Sequence, residues 1–114
     1  MNIKNNHLVS IIMNCHNGEQ YLEQSLKSII SQTYSNWELI FWDNLSTDKS
    51  KDIVESFKDK RIKYFSSEKY LKLYEARNQA IKKAKGNYIS FLDTDDYWLK
   101  DKLEKPAHPL ISQN

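Results

Sequence analysis

The sequence predicts an α/β fold, a mostly parallel sheet with flanking helices, and three observations carry that prediction. Short apolar runs rich in β-branched residues alternate with segments whose apolar residues recur at helical spacing. Those apolar runs are hydrophobic at nearly every position, the pattern of strands covered on both faces. The two patterns follow one another along the chain, which is the order of βα units.

Leu8-Val9-Ser10-Ile11-Ile12-Met13 reads as the first strand, bounded by polar segments. Asn17, with Gln20 three residues on, offers a helix start, and Tyr21, Leu22, Leu26, Ile29 and Ile30 give that helix one apolar stripe. Trp37 to Trp42 is the second strand. Ser46-Thr47-Asp48 begins a second helix with Ile53, Val54 and Phe57 facing inward. Arg61 to Phe65 is a shorter third strand. Tyr74 to Lys85 is a third helix, with Ala76, Ala80, Ile81 and Ala84 inward and Gly86 as its C-cap. Asn87 to Leu92 is the fourth strand, and Trp98 to Lys105 a last short helix. Pro106 to Leu110 should break that helix and fray.

Composition narrows the function classes. At 114 residues the chain fits one domain with its own core, and it needs no disulfide or metal staple. Hydrophobic residues are 39% and charged ones 28%, with a mean hydropathy of -0.75; three Trp, seven Tyr and four Phe are too many for a disordered chain. No apolar run approaches the roughly 18 residues that span a bilayer. Met1 to His7 lacks the apolar core of a signal peptide. A single cysteine, Cys15, builds neither a disulfide framework nor a Cys-rich zinc site. The expected compartment is therefore the reducing cytoplasm. The net charge of +2 is too small to imply a nucleic acid partner. Lys82, Lys83 and Lys85 suit a helix C-terminus, and would also suit a peripheral position on anionic lipid.

In a parallel sheet, ligands bind outside the carboxyl ends of the strands. Those ends carry Asn14-Cys15-His16-Asn17, Asp43-Asn44, Ser66-Ser67 and Asp93-Thr94-Asp95-Asp96. Asp93 and Asp95 alternate, so both point the same way in an extended segment. Acids so close repel unless they share a positive charge, and a hard divalent cation such as Mg²⁺ or Mn²⁺ suits them. The plainer alternative is a helix N-cap, which one acid would satisfy. An EF-hand fails, because Trp98 stands where its loop needs glycine. With only Gly18 and Gly86, neither a nicotinamide-binding fingerprint nor a P-loop is present. A D-x-D phosphatase with Asp93 as nucleophile remains a less favoured alternative.

Four separated segments carry a more specific signal. They are Val9 to Met13 with Asn17-Gly18 and Ser28 to Tyr34; Trp42 to Asp48; Ala76-Arg77-Asn78; and Ala84 to Asp96. In this order they resemble family 2 glycosyltransferases from about residue 8 to 105. The resemblance implies the Rossmann-like nucleotide-binding half of a GT-A fold, holding a nucleotide-activated sugar. By position, His16 would lie near the base, Asp43 and Asn44 at base and ribose, and Arg77 near the phosphates. Asp93 would face the ribose or a metal-bound water, and Asp95 would hold the metal, Mg²⁺ or Mn²⁺. Asn14 is grouped with the donor-binding residues, and Asp48 is expected to tie down the second helix.

Departures from the family pattern accompany the match. Asn14-Cys15-His16-Asn17 replaces the usual Pro-Thr/Ala-Tyr-Asn, Leu45 stands for a common glycine, and Lys69 to Glu75 replaces a glycine-containing loop. A complete domain of this family is longer, beyond the usual mode of roughly 100–150 residues. The expected organisation is thus an incomplete donor-binding domain, 1–105, followed by an irregular tail, 106–114. The expected function is inverting transfer from a UDP- or dTDP-sugar to a saccharide or lipid-linked acceptor in surface glycan synthesis. On this reading the chain is truncated, lacks its general base and tends to self-associate. The alternative is a non-catalytic nucleotide-binding module.

Overall fold

The structure is a computed structural model that describes residues 7–104 and 111–112. Its elements run β1 (Val9–Cys15), α1 (Glu19–Ile30), β2 (Trp37–Asp43), α2 (Ser50–Ser56), β3 (Ile62–Ser66), α3 (Leu73–Lys83), β4 (Tyr88–Phe91) and β5 (Ile111–Ser112). The sheet order is β3-β2-β1-β4-β5. The first four strands are mutually parallel, and β5 pairs antiparallel to β4. The predicted α/β class and the four βα-linked strands are therefore present.

Alternation within the buried strands sorts the core into two layers. Val9, Ile11, Met13 and Cys15 of β1 join Trp37, Leu39 and Phe41 of β2 beneath Leu22, Leu26 and Ile29 of α1 and Val54 of α2. Ile12, Ile40 and Trp42 face the other way, under Ala76 and Ala80 of α3. Small residues on α3 let that helix lie close on the sheet.

Several boundaries differ from expectation, each for a local reason. Asn17 takes φ 55 and lies outside α1, whose N-cap is Gly18. Its carboxamide oxygen accepts the Thr47 amide at 2.7 Å instead of capping its own helix. The Gln20 side chain donates to the Tyr21 hydroxyl, so no capping box forms. Tyr21 is exposed, not part of the buried stripe. α2 begins at Ser50, because Asp48 spends its carboxylate on two helix starts, accepting Glu19 N and Ser50 N. Those bonds outweigh partial burial and hold the Asp48 carboxyl below its usual range. Residues 98–104 form successive turns, not a helix, with Lys102 N bonded to Leu99 O and Glu104 N to Asp101 O. Leu103 is nevertheless anchored in the core. The expected break at 106–110 lies outside the described residues, whereas Ile111–Ser112, expected to be irregular, forms β5.

Gly86 does not cap α3; Ala84 does, in extended conformation. Gly86 is needed for close approach: a Cβ there would lie 2.6 Å from Ser10 Oγ and 2.7 Å from Leu8 O. Beside it sits the least expected feature of the sheet. Glu38, 3% exposed near the start of β2, accepts bonds from Ser10 Oγ (2.6 Å), Lys63 Nζ (2.9 Å) and Lys85 N (2.6 Å). Burial alone would raise its pKa; the Lys85 amide, Ser10 hydroxyl and Lys63 ammonium overcome that and hold the carboxyl below its ordinary value.

Three outcomes follow for stability. Glu38→Ala strands the Ser10 hydroxyl and the Lys85 amide, so urea unfolding should show a loss of about 2–4 kcal/mol. Because the folded pKa of Glu38 is depressed, its ionic contribution is present above the unfolded carboxyl pKa of about 4.3 and is lost as pH falls through the lower folded value. Glu38→Gln should flatten that acid limb of the stability profile. Gly86→Ala should cost about 1–3 kcal/mol by overpacking against backbone atoms that cannot yield. Wild-type stability in that variant would show that the β1–β4 seam has slack.

Candidate functional site

Parallel strands ending on one edge leave a hollow there, and β1 and β4 border it in this chain. An open cleft of about 490 Å³ is lined by Asn14, His16, Asn17, Gly18, Gln20, Tyr21, Leu73, Asp93, Thr94 and Asp95. Asn14, His16, Asp93 and Asp95, all singled out from the sequence, thus share one cavity. Asp93 and Asp95 are both exposed to it.

The acidic segment is held from behind by α1. Ser25 Oγ donates to Thr94 O at 2.8 Å and also contacts Asp96 O. Ser28 Oγ accepts Trp98 N at 3.1 Å. Gln32 donates to Leu99 O at 2.7 Å and accepts Leu103 N at 3.1 Å. Ser25 and Ser28 on α1, with Gln32 just beyond its end, therefore fix residues 94–103 by their backbone. Sequence reasoning passed over them. The available signal was the i, i+3, i+7 placement of Ser25, Ser28 and Gln32 along an apolar stripe, where a polar residue needs a partner.

His16 reaches the cleft from the end of β1. Its Nδ1 lies 2.6 Å from the Asn44 carbonyl oxygen, and since a carbonyl only accepts, Nδ1 carries the proton. In the neutral ring Nε2 is then the acceptor nitrogen. The ring also meets Tyr70 edge-on at 5.0 Å. Tyr70 belongs to the loop before α3, which Asn44 grips through both atoms of its carboxamide: Nδ2 to Leu71 O (2.8 Å) and Leu71 N to Oδ1 (2.9 Å).

Asp43, Asn44 and Arg77 do not line this cleft. Asp43 is 3% exposed, with Oδ1 accepting Ser46 N and Oδ2 accepting the Tyr64 hydroxyl. Burial of that phenol, and next the bond to Asp43, push the Tyr64 pKa far up. In this structure Asn44 holds His16 and the loop that carries Tyr70, while Asp43 ties down the turn at Ser46. Arg77 is half-buried on α3, its guanidinium 5.4 Å from the centre of the Phe91 ring. Leu45, where the family has glycine, takes φ 55 and keeps the left-handed turn. A leucine holds that conformation at a cost of about 1–2 kcal/mol.

The donor set bears on a metal directly. No cluster of three or more His, Cys, Asp or Glu side chains suited to a metal occurs among the described residues. Asp96 turns aside, its Oδ1 accepting Tyr97 N at 2.9 Å, and no helix follows for it to cap. Two carboxylates in an open cleft fit a hard divalent cation whose remaining ligands are phosphate and water oxygens. They do not fit an all-protein cage. Among the described residues, no helix is long and apolar enough to cross a membrane.

Comparison with known proteins accords with this geometry. Residues 10–112 match the profile of the family described as Glycosyl transferase family 2. Over 108 residues the chain is 42% identical to the Escherichia coli protein named UDP-Glc:alpha-D-GlcNAc-diphosphoundecaprenol beta-1,3-glucosyltransferase WfgD, covering 95% of this chain and 43% of that one. S. aureus TarS 1-349 in complex with UDP-GlcNAc superposes with TM-score 0.77 at 32% identity, over 83% of this chain and 28% of that one. The mannosyltransferase PcManGT from Pyrobaculum calidifontis, in complex with GDP-Man and Mn2+, gives TM-score 0.78 at 25% identity, over 84% and 30% respectively. The chain spans less than half the length of these relatives. Its mostly parallel sheet with flanking helices is that of the GT-A fold. The chain belongs to glycosyl transferase family 2.

Proposed function

We propose that this region binds the nucleotide-diphosphate sugar of an inverting glycosyl transfer, and that the acceptor is a saccharide or lipid-linked sugar of a surface glycan. The observation that carries the reading is the shared cleft of His16, Asn14, Asp93 and Asp95 at the strand ends. The relatives add support: one is named for a UDP-glucose donor and a diphosphoundecaprenol acceptor, and solved neighbours hold UDP-GlcNAc or GDP-Man.

Each side chain then has a physical task. The base lies toward the His16 ring, whose tautomer is set by Asn44, with Tyr70 closing the corner. The diphosphate lies toward Asp95, with Asp93 beside it. When bound there, a divalent cation neutralises the charge that builds on the departing diphosphate. Asp93 and Asp95 hold that cation, and the α1 side chains Ser25 and Ser28 keep their segment from shifting. Arg77, outside the cleft lining, offers a positive charge on the α3 side.

Calorimetry of UDP-glucose binding with Mn²⁺ and with EDTA tests the metal role. Affinity should fall about 10–100-fold on chelation, and Asp95→Asn should lose the same increment. Equal affinity with and without metal would remove the cation from the site. A second titration compares bases. UDP- and dTDP-sugars should bind more tightly than GDP-sugars, and a preference for GDP-mannose would reverse the donor assignment.

A further inference from the structure

The α3 side of the molecule exposes apolar and basic side chains together. Tyr70, Leu73 and Tyr74 are 62%, 60% and 62% exposed, three large apolar groups within five residues that the core does not use. Their exposure is built in. Asn44 pins the loop at Leu71 through both atoms of its carboxamide, and Leu73 opens α3, where Glu75 accepts the Lys72 amide at 3.1 Å. A contiguous apolar patch held in water marks a surface that meets another body.

Charge selects that body. Between Lys69 and Lys85 stand five lysines and Arg77 against one acid, Glu75, a net charge of +5 where the whole chain has +2. All five lysines are exposed. Tyr74, Asn78 and Lys82, four residues apart, form the outward stripe of α3, opposite the buried Ala76 and Ala80. Lys69 and Lys82 also border one open groove of about 580 Å³, together with Leu71 and Ile81. This mixture matches the two zones of a bilayer surface, with rings and aliphatic groups at the headgroup boundary and ammonium groups among the phosphates. A nucleic acid offers charge but no apolar layer for Leu73. A second copy of this chain would bring the same positive face to the patch and be repelled.

We propose that the face from Lys69 to Lys85 docks the protein on an anionic phospholipid surface, with Leu73 and Tyr74 at the headgroup boundary and the lysines on lipid phosphates. Leu73 also lines the cleft of Asp93 and Asp95, so a docked chain holds the cleft mouth at the lipid. The docking goes beyond the donor-binding reading and stands without it.

Co-sedimentation of the full chain, free of nucleotide, with phosphatidylcholine vesicles and with mixed phosphatidylcholine–phosphatidylglycerol vesicles tests it. Mixed vesicles should bind at least about tenfold more tightly, and high salt should remove most of that difference. Lys69→Glu with Lys82→Glu should weaken binding to mixed vesicles by about tenfold or more. Lys27→Glu with Lys51→Glu changes net charge equally, at exposed positions on α1 and α2 across the sheet, and should cost less than about threefold. Tyr74→Ser should weaken binding about fivefold with the unfolding temperature unchanged, because its side chain is exposed. The Lys69→Gln and Lys82→Gln pair serves if the glutamate pair does not fold. Equal binding to both kinds of vesicle overturns the proposal, as does equal loss in the two charge-reversal pairs. Tighter binding to a DNA oligonucleotide than to mixed vesicles, or a dimer that Tyr74→Ser dissolves, would reassign the face to a nucleic acid or to a second copy.

Discussion

The buried Glu38 carboxylate is the constraint around which the sheet is arranged. It collects the Ser10 hydroxyl from β1, the Lys63 ammonium from β3 and the Lys85 amide from the turn before β4. A carboxylate withdrawn from water must have such partners, and here they come from three different segments. Satisfying one charge therefore sets where β4 enters the sheet. Ser10 Oγ in turn accepts Gly86 N at 2.8 Å, and the lack of a side chain at Gly86 permits the approach. The position of β4 beside β1 decides that Asp93 and Asp95 emerge next to Asn14 and His16. The cleft is thus linked to a hydrogen-bonded charge at the opposite end of the same strands.

Apolar burial provides the general driving force, but it does not fix the loops. Val9, Ile11, Leu39 and their neighbours would pack nearly as well with the loops placed differently. The loops at the site are located by polar side chains acting on backbone groups. Asp48 serves two helix starts, Asn44 bridges to Leu71, and Ser25, Ser28 and Gln32 bind the segment after β4. Each such bond contributes only about 0.5–1.5 kcal/mol, yet leaving one unmade inside the protein costs more. That asymmetry makes each arrangement specific.

Near the cleft, local preference yields to position. Asn17 and Leu45 both occupy left-handed backbone, and Asn14 keeps an unpartnered acceptor. Asn17 offsets its strain through a side-chain bond to Thr47, and its own amide donates to Ser46 Oγ. Leu45 gains no comparable bond, and its side chain is exposed. The turn it makes brings Ser46 N back to the Asp43 carboxylate and leaves the Asn44 carbonyl aimed at His16.

The sequence by itself determined the class of fold, because continuous apolar strands and helical periodicity are local and repetitive signals. It also pointed to the strand ends, and marked Asn14, His16, Asp93 and Asp95, which the structure brings to one cleft there. It did not determine helix starts at Asn17 or Ser46, since each apparent cap found a better partner across the chain. Ile111–Ser112 escaped notice because two residues carry no periodicity. Glu38 was hidden within an apolar strand, its meaning carried by Ser10, Lys63 and Lys85, far away in sequence. The internal roles of Asp43 and Asn44, and the support of the acidic segment by α1, were likewise decided only in three dimensions. A hydrogen bond between residues dozens of positions apart leaves no periodic trace, so tertiary structure alone could assign the partners.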